Sequence, residues 1–212
     1  METSIELEKY IRTHLEEEDP ALKELERETF LNVLRPRMLS GHVQGTLLTM
    51  FSQMIQPKRI LEIGTYTGYS AICLAKGLTD DGQLHTIEVN DELENMAKKY
   101  FEKAGMNSKI IQHIGDAKTI IPTLNEPFDL IFIDADKREY SNYFDLVIDK
   151  VPSGGMIIAD NILWSGKVTE KPDPRDEQTK GILEFNLKVK HDPRVTQTIV
   201  PLRDGLMLIR KR

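Results

Sequence analysis

The sequence predicts an α/β fold: a doubly wound, mostly parallel sheet with helices ahead of it and an antiparallel hairpin at its C-terminal end. Three observations predict this. After Pro57, short apolar runs alternate with helical segments, the strand-like runs being RILEI, QLHTIEV, KIIQHIG, FDLIFID and GGMIIAD. These runs are nearly continuous in apolar residues, as strands buried on both faces must be. The chain then closes with VTQTIV and GLMLIRK, split only by PLRD, a connection that fits antiparallel neighbours and is too short for a parallel crossover.

The elements follow in order. Residues Ser4–Glu16 and Pro20–Leu34 read as helices, the second with proline at its first turn, where its missing N–H costs nothing. Arg35-Pro36-Arg37 breaks that pattern. Ser40–Ile55 reads as a third helix with Ser40 as its N-cap. Between the strands lie TGYSAICLAKGL, DELENMAKKYFEKAG, AKTIIPTL and KREYSNYFDLVIDKV, all helix-like. A polar, proline-bearing loop, NILWSGKVTEKPDPRD, leads to a helix from about Glu177 to Lys190. With no internal repeat, residues 1–212 read as one domain: a helical cap over 1–56 and an α/β core over 57–212.

Composition narrows the function. The chain has 212 residues, 40% of them hydrophobic, enough for a sizeable core. A net charge of −6 argues against a broad basic face for nucleic acid. The single cysteine, Cys73, allows neither an intrachain disulfide nor a cysteine metal cluster and reads as a buried small hydrophobe; a reducing, cytoplasmic setting is expected. The N-terminal stretch is polar and acidic, and no apolar run approaches the roughly 18–20 residues of a membrane span. The five histidines share no ligand spacing.

In open parallel sheets the ligand sits beyond the carboxyl ends of the strands, where strand order reverses. Here those ends carry Glu62-Ile63-Gly64, Glu88, Gly115-Asp116, Asp134 and Asp160-Asn161. The turn Gly64-Thr65-Tyr66-Thr67-Gly68 lacks the lysine of a phosphate loop and the middle glycine of a dinucleotide fingerprint. A carboxylate at Glu62 would also face phosphate badly. S-adenosylmethionine, with a cationic amino group, a sulfonium and a ribose diol but no phosphate, suits the acidic strand ends. Glu88 stands where a carboxylate accepts both ribose hydroxyls, and Asp116-Ala117 stands near the adenine. Tyr66 and Ser70 are further candidates through ring and hydroxyl.

MLSGHVQG (Met38–Gly45), LEIGTYTGYS, IEV, IGDA, FDLIFIDADK, GGMIIADNILWSGKV and RDGLMLIRK together resemble the class I, metal-dependent O-methyltransferases of the caffeoyl-CoA and catechol type. The resemblance runs from about Met38 to the end, and IDADK paired with ADN is its specific part. It implies a Rossmann-like methyltransferase fold and a homodimer, and the N-terminal helices, with apolar positions Ile5, Leu7, Ile11, Leu22, Leu25, Phe30 and Leu31, are expected to cover the cofactor side or form the homodimer contact. It also implies a cofactor contact at Met38 and a general base at Lys137, held more in its neutral amine form beside a bound cation. Animal catechol enzymes carry His-Trp between the aspartate and that lysine; here the positions are Ala135-Asp136.

Asp134 and Asp160-Asn161 end the fourth and fifth strands, and neighbouring strands lie about 4.8 Å apart. Their three oxygen donors could therefore converge on one divalent cation, Mg²⁺ or else Mn²⁺ or Ca²⁺, since no histidine or cysteine is present to favour zinc. A phenol has a pKa of about 10, so a cation that stabilises its anion assists transfer at neutral pH. The expected reaction is methyl transfer from S-adenosylmethionine to a hydroxyl of a small, hydroxylated, catechol-like aromatic chelated by that cation. An alternative acceptor is a hydroxylated uridine in tRNA, flanked by Arg35, Arg37, Lys167, Lys171 and Arg175. A non-catalytic cofactor-binding module is the distant alternative. Trp164 reads equally as a cover for an aromatic acceptor and as a loop anchor.

Overall fold

The computed structural model describes residues 5–212. Helices α1 (Ile5–Thr13), α2 (Pro20–Asn32) and α3 (Gly41–Ile55) precede the sheet. Ser4, expected to begin the first helix, lies outside the described residues. Helix α2 starts on Asp19, whose carboxylate accepts the Ala21 N–H at 2.9 Å, satisfying one of the orphan donors of a helix start. It stops at Asn32, two residues earlier than expected. Arg35 takes a left-handed φ of 57° before Pro36, which the helix cannot pass. Ser40 corrects a second expectation: its backbone is already helical and its side chain makes no capping bond.

The core alternates β1 (Arg59–Ile63), α4 (Tyr69–Ala75), β2 (Gln83–Glu88), α5 (Glu94–Lys103), β3 (Ile110–Ile114), α6 (Ala117–Ile120), β4 (Leu130–Ile133), α7 (Tyr140–Val147) and β5 (Met156–Ala159). Helix α6 is shorter than AKTIIPTL suggested because Pro122 diverts it into a 3-10 turn at Ile121–Thr123. After α8 (Glu177–His191) come β6 (Val195–Val200) and β7 (Leu206–Lys211). The seven strands lie in the order β3-β2-β1-β4-β5-β7-β6. The first five are parallel. Strand β7 inserts antiparallel between β5 and β6, which puts β6 on the edge.

Both faces of the sheet are covered, which is why its strands read as apolar runs. Leu61, Ile63, Ile131, Ile133, Ile157 and Ala159 pack against α7 and α8. Ile60, Leu84, Leu130, Phe132 and Ile158 pack with residues of α2, α3, α4 and α5. Burying each large aliphatic contributes about 1.5–3 kcal/mol before the cost of ordering it. Cys73 is buried as expected, and burial pushes its thiol up to about 12. The parallel register of β2 and β3 stacks the rings of His85 and His113 with centroids 5.2 Å apart and His85 Nδ1 3.0 Å from His113 Nε2, and sets His85 Nε2 2.9 Å from Glu126, a grouping that linear spacing did not reveal. Among the described residues no helix is long and apolar enough to cross a membrane.

The strand order reverses between β1 and β4. One close approach fixes that point. Gly64 has φ +103°, and a Cβ on it would stand 2.1 Å from the carbonyl oxygen of Asp134. Only glycine lets the turn after β1 lie against the end of β4. A cavity opens there.

Candidate active site

The cavity has a volume of about 1250 Å³ and spans the carboxyl ends of β1 to β5. Its roof is the strap between α2 and α3, including Leu34, Arg35, Arg37 and Met38. The Tyr66 hydroxyl donates to the carbonyls of Leu34 (3.2 Å) and Arg35 (3.4 Å), tying the glycine turn to the strap.

One half is built on β1, β2 and β3. Glu88 Oε2 accepts the Tyr66 N–H at 2.7 Å, and Oε1 accepts the Asn90 N–H at 2.9 Å. The two turns flanking the cavity therefore hold both oxygens of one carboxylate, leaving lone pairs for hydroxyl donors. Asp116 caps α6 by accepting the Lys118 N–H at 2.8 Å and lines the cavity with Ala117. Gly64, Tyr66, Ser70 and the half-exposed Met38 line it too.

Glu62 corrects the expectation of a cofactor contact. It is fully buried and does not line the cavity. Strand alternation turns it to the α4 face of the sheet, where Oε2 accepts from the hydroxyl of Thr86 on the neighbouring β2 at 2.5 Å and Oε1 has no hydrogen-bond partner. Burial pushes its carboxyl up to about 8, and the charges of Asp134 and Glu88 add to the shift.

The other half is built on β4 and β5. The Asp134 N–H donates to Ile63 O and the Asp160 N–H to Ile133 O, both at 2.9 Å, so the ladder runs one residue past each strand. By alternation, Asp134 and Asp160 leave the same face as Phe132 and Ile158. Asp134 Oδ1 accepts from Lys137 Nζ at 2.7 Å. The same Nζ donates to the Tyr140 hydroxyl at 2.7 Å, which donates to Asp160 O at 3.0 Å. Lys137 is only 6% exposed. Its backbone is pinned by α8, since a Cβ on Gly181 would stand 2.4 Å from Lys137 O.

Asp160 is buried. Its Oδ1 accepts the Asn161 N–H and its Oδ2 the Gln44 amide, both at 2.6 Å. Burial, then the charge of Asp134, pushes its carboxyl up to about 6. Asn161 takes a left-handed φ of 59°, lines the cavity, and its side chain makes no hydrogen bond among the described residues. Trp164 lines the cavity as well, half-buried.

Comparison with known proteins decides the family. The profile described as O-methyltransferase matches residues 12–212. The chain belongs to this family. The enzyme is 35% identical over 205 residues to a caffeoyl-CoA O-methyltransferase of Petroselinum crispum, covering 92% of its own length and 85% of the relative's. Its structure superposes on the O-methyltransferase TomG of Streptomyces achromogenes, solved with SAM, with a TM-score of 0.91 and 32% identity over 97% and 96% of the two chains. An O-methyltransferase from Bacillus cereus, solved with SAH, gives 0.91 and 30% over 96% of each.

Asp134, Asp160 and Asn161 of the enzyme fit a hard divalent cation. Among the described residues no three His, Cys, Asp or Glu side chains group as a metal site, and the Asn161 amide lines the cavity beside the two aspartates. All three offer oxygen. The repulsion that helps raise Asp160 is what a cation between the two aspartates would relieve. Sequence reasoning missed Tyr140, Gln44 and Arg203. Tyr140 follows Lys137 at helical spacing, a signal that was available. Gln44 and Arg203 sit within the motifs MLSGHVQG and RDGLMLIRK, but nothing local points them at Asp160.

Proposed function

We propose that the enzyme transfers the methyl group of S-adenosylmethionine to a hydroxyl of a small aromatic acceptor carrying adjacent oxygens, with a divalent cation at Asp134, Asp160 and Asn161. The observation that carries this reading is one cavity with two ends: the backbone-held carboxylate of Glu88 at one, and two aspartates, an amide and a buried lysine at the other.

Glu88 accepts the ribose hydroxyls, and the acidic lining favours the sulfonium cation. Ala117 and Met38 pack around the adenosyl group. Mg²⁺, when bound, supplies Lewis acidity that stabilises the acceptor oxygen as an anion. Lys137 Nζ takes the acceptor proton, and Tyr140 and Asp134 hold that nitrogen in place. Trp164 covers the acceptor ring and keeps water out. Holding donor and acceptor in line supplies much of the rate, because transfer to the methyl carbon needs close, collinear approach.

A hydroxylated uridine of tRNA is the second reading. What favours it is that Arg35 and Arg37 line the cavity. Lys167 and Arg175, by contrast, are paired with Asp176 and Asp173. A small acceptor needs no such cations and fits the net charge of −6. Incubation with methyl-labelled cofactor, Mg²⁺ and either a catechol panel or total tRNA tests the choice. Label entering catechols alone supports the first reading, and label entering tRNA alone overturns it.

We also infer a homodimer formed through the exposed apolar side chains of Ile5, Tyr10, Phe30, Leu31 and Leu34. A monomeric mass by light scattering at micromolar concentration would contradict it.

A further inference from the structure

Helix α3 buries one stripe, Gln44, Gly45, Leu48 and Ser52. Gln44 is the anomaly in it. It is fully buried where an aliphatic side chain would pack as well, and a buried amide is costly unless both its ends are bonded. Both ends are. Nε2 donates to Asp160 Oδ2 at 2.6 Å, and Oε1 accepts from Arg203 Nη1 at 3.2 Å. This pairing also fixes which end is which, since a flipped amide would set oxygen against carboxylate and NH₂ against guanidinium.

Arg203 projects from the turn between β6 and β7, at a left-handed φ of 50°. The same guanidinium donates to the carbonyls of Leu39 (3.0 Å) and Ser40, just ahead of α3. That turn is itself docked on the loop carrying Asn161, through Gly205 O to the Ile162 N–H (3.1 Å) and Asp204 O to the Leu163 N–H (2.9 Å). The hairpin turn thus reaches Asp160 through Gln44 and reaches the Asn161 loop through its own backbone.

We propose that Gln44 is a positioning residue for Asp160, aligned in turn by Arg203, and that this relay presets the Asp160 carboxylate for a divalent cation. The inference rests on the cation reading above. Each Asp160 oxygen takes one protein donor, the Asn161 N–H or the Gln44 amide, which leaves a lone pair on each for the cavity. The contrast with Asp134 matters. There the donor is Lys137 Nζ, the group that is also assigned the acceptor proton. At Asp160 the donor is a neutral amide, which orients the carboxylate and leaves its charge available to a cation.

The test is Mn²⁺ binding to the full chain, followed by electron paramagnetic resonance, for wild type, Gln44→Met and Ser52→Ala. Ser52 lies in the same buried stripe and donates to Leu74 O, away from Asp160, so its loss reports packing alone. Gln44→Met should weaken Mn²⁺ binding by roughly 10–100-fold, the usual effect of removing a partner that orients a ligand, with S-adenosylmethionine affinity unchanged. Ser52→Ala should lower Tm and leave Mn²⁺ affinity alone. A folded Gln44→Met with wild-type Mn²⁺ affinity overturns the proposal and makes Gln44 a packing residue. Should that variant fail to fold, Arg203→Met carries the same test, and it too must weaken Mn²⁺ binding. Wild-type protein that binds no Mn²⁺ overturns the cation reading itself, a result distinct from failure of the relay.

Discussion

The two halves of the cavity hold their carboxylates in different ways. On the side proposed for the cofactor, Glu88 is gripped by two backbone N–H groups from turns that its own and the neighbouring strand lead into. On the side proposed for the acceptor, Asp134 is held by Lys137, and Asp160 by the Asn161 N–H and by Gln44 from a helix 116 residues away in sequence. A backbone grip survives most substitutions around it. A side-chain grip fails with one. The acceptor side should therefore be the fragile half, and its loss should spare cofactor binding.

The largest break is expected at Asp160. Asp160→Ala removes a hard ligand and its charge, and turnover should fall by on the order of 10³-fold or more. Calorimetry should find S-adenosylmethionine affinity intact, and an equal loss of both would erase the distinction between the halves. Lys137→Ala comes next. The kcat should drop by about 10²–10⁴-fold, as for a lost general base. A variant of undiminished kcat would remove Lys137 from the chemistry.

Glu88→Ala sharpens the comparison from the other side. Two charge-assisted hydrogen bonds to the ribose would be lost, so cofactor affinity should weaken by roughly 10²–10⁴-fold. At saturating S-adenosylmethionine, kcat should hold. Unchanged affinity would take Glu88 out of the site.

The smallest effect on chemistry concerns Glu62, which belongs to neither half. Its folded-state pKa of about 8 lies above the ordinary 4.5. The folded protein therefore binds this proton over a pH range in which the unfolded chain has released it. Stability should fall as pH rises between those values, by up to about 1.4 kcal/mol per pH unit, and level off above. Glu62→Gln should flatten that slope. Urea titrations of both proteins from pH 5 to 9 check it, and parallel curves would mean Glu62 is ionised throughout.

The same contrast explains what could be read from the sequence. Strand runs and the carboxylates at their ends were legible, because burial on both faces and acidic residues at strand ends are local patterns. The Gly64 turn was legible for the same reason. Glu62 was misplaced because a strand end alternates its side chains, and a single position decides between cavity and core. Ser40 looked like a cap because serine often is one, but here the chain enters α3 already helical. Gln44 and Arg203 could not have been found from spacing. Their roles exist only once α3 and the β6–β7 turn are folded against the end of β5.

The account stands on the acceptor half working with a cation. The most direct measurement is turnover of methyl-labelled S-adenosylmethionine with a catechol panel, before and after chelator treatment and with Mg²⁺ added back. The account predicts that chelator abolishes transfer, that Mg²⁺ or Mn²⁺ restores it, and that cofactor binding persists throughout. Transfer that continues in excess chelator would contradict it and leave Lys137 and the aspartates to deprotonate the acceptor alone.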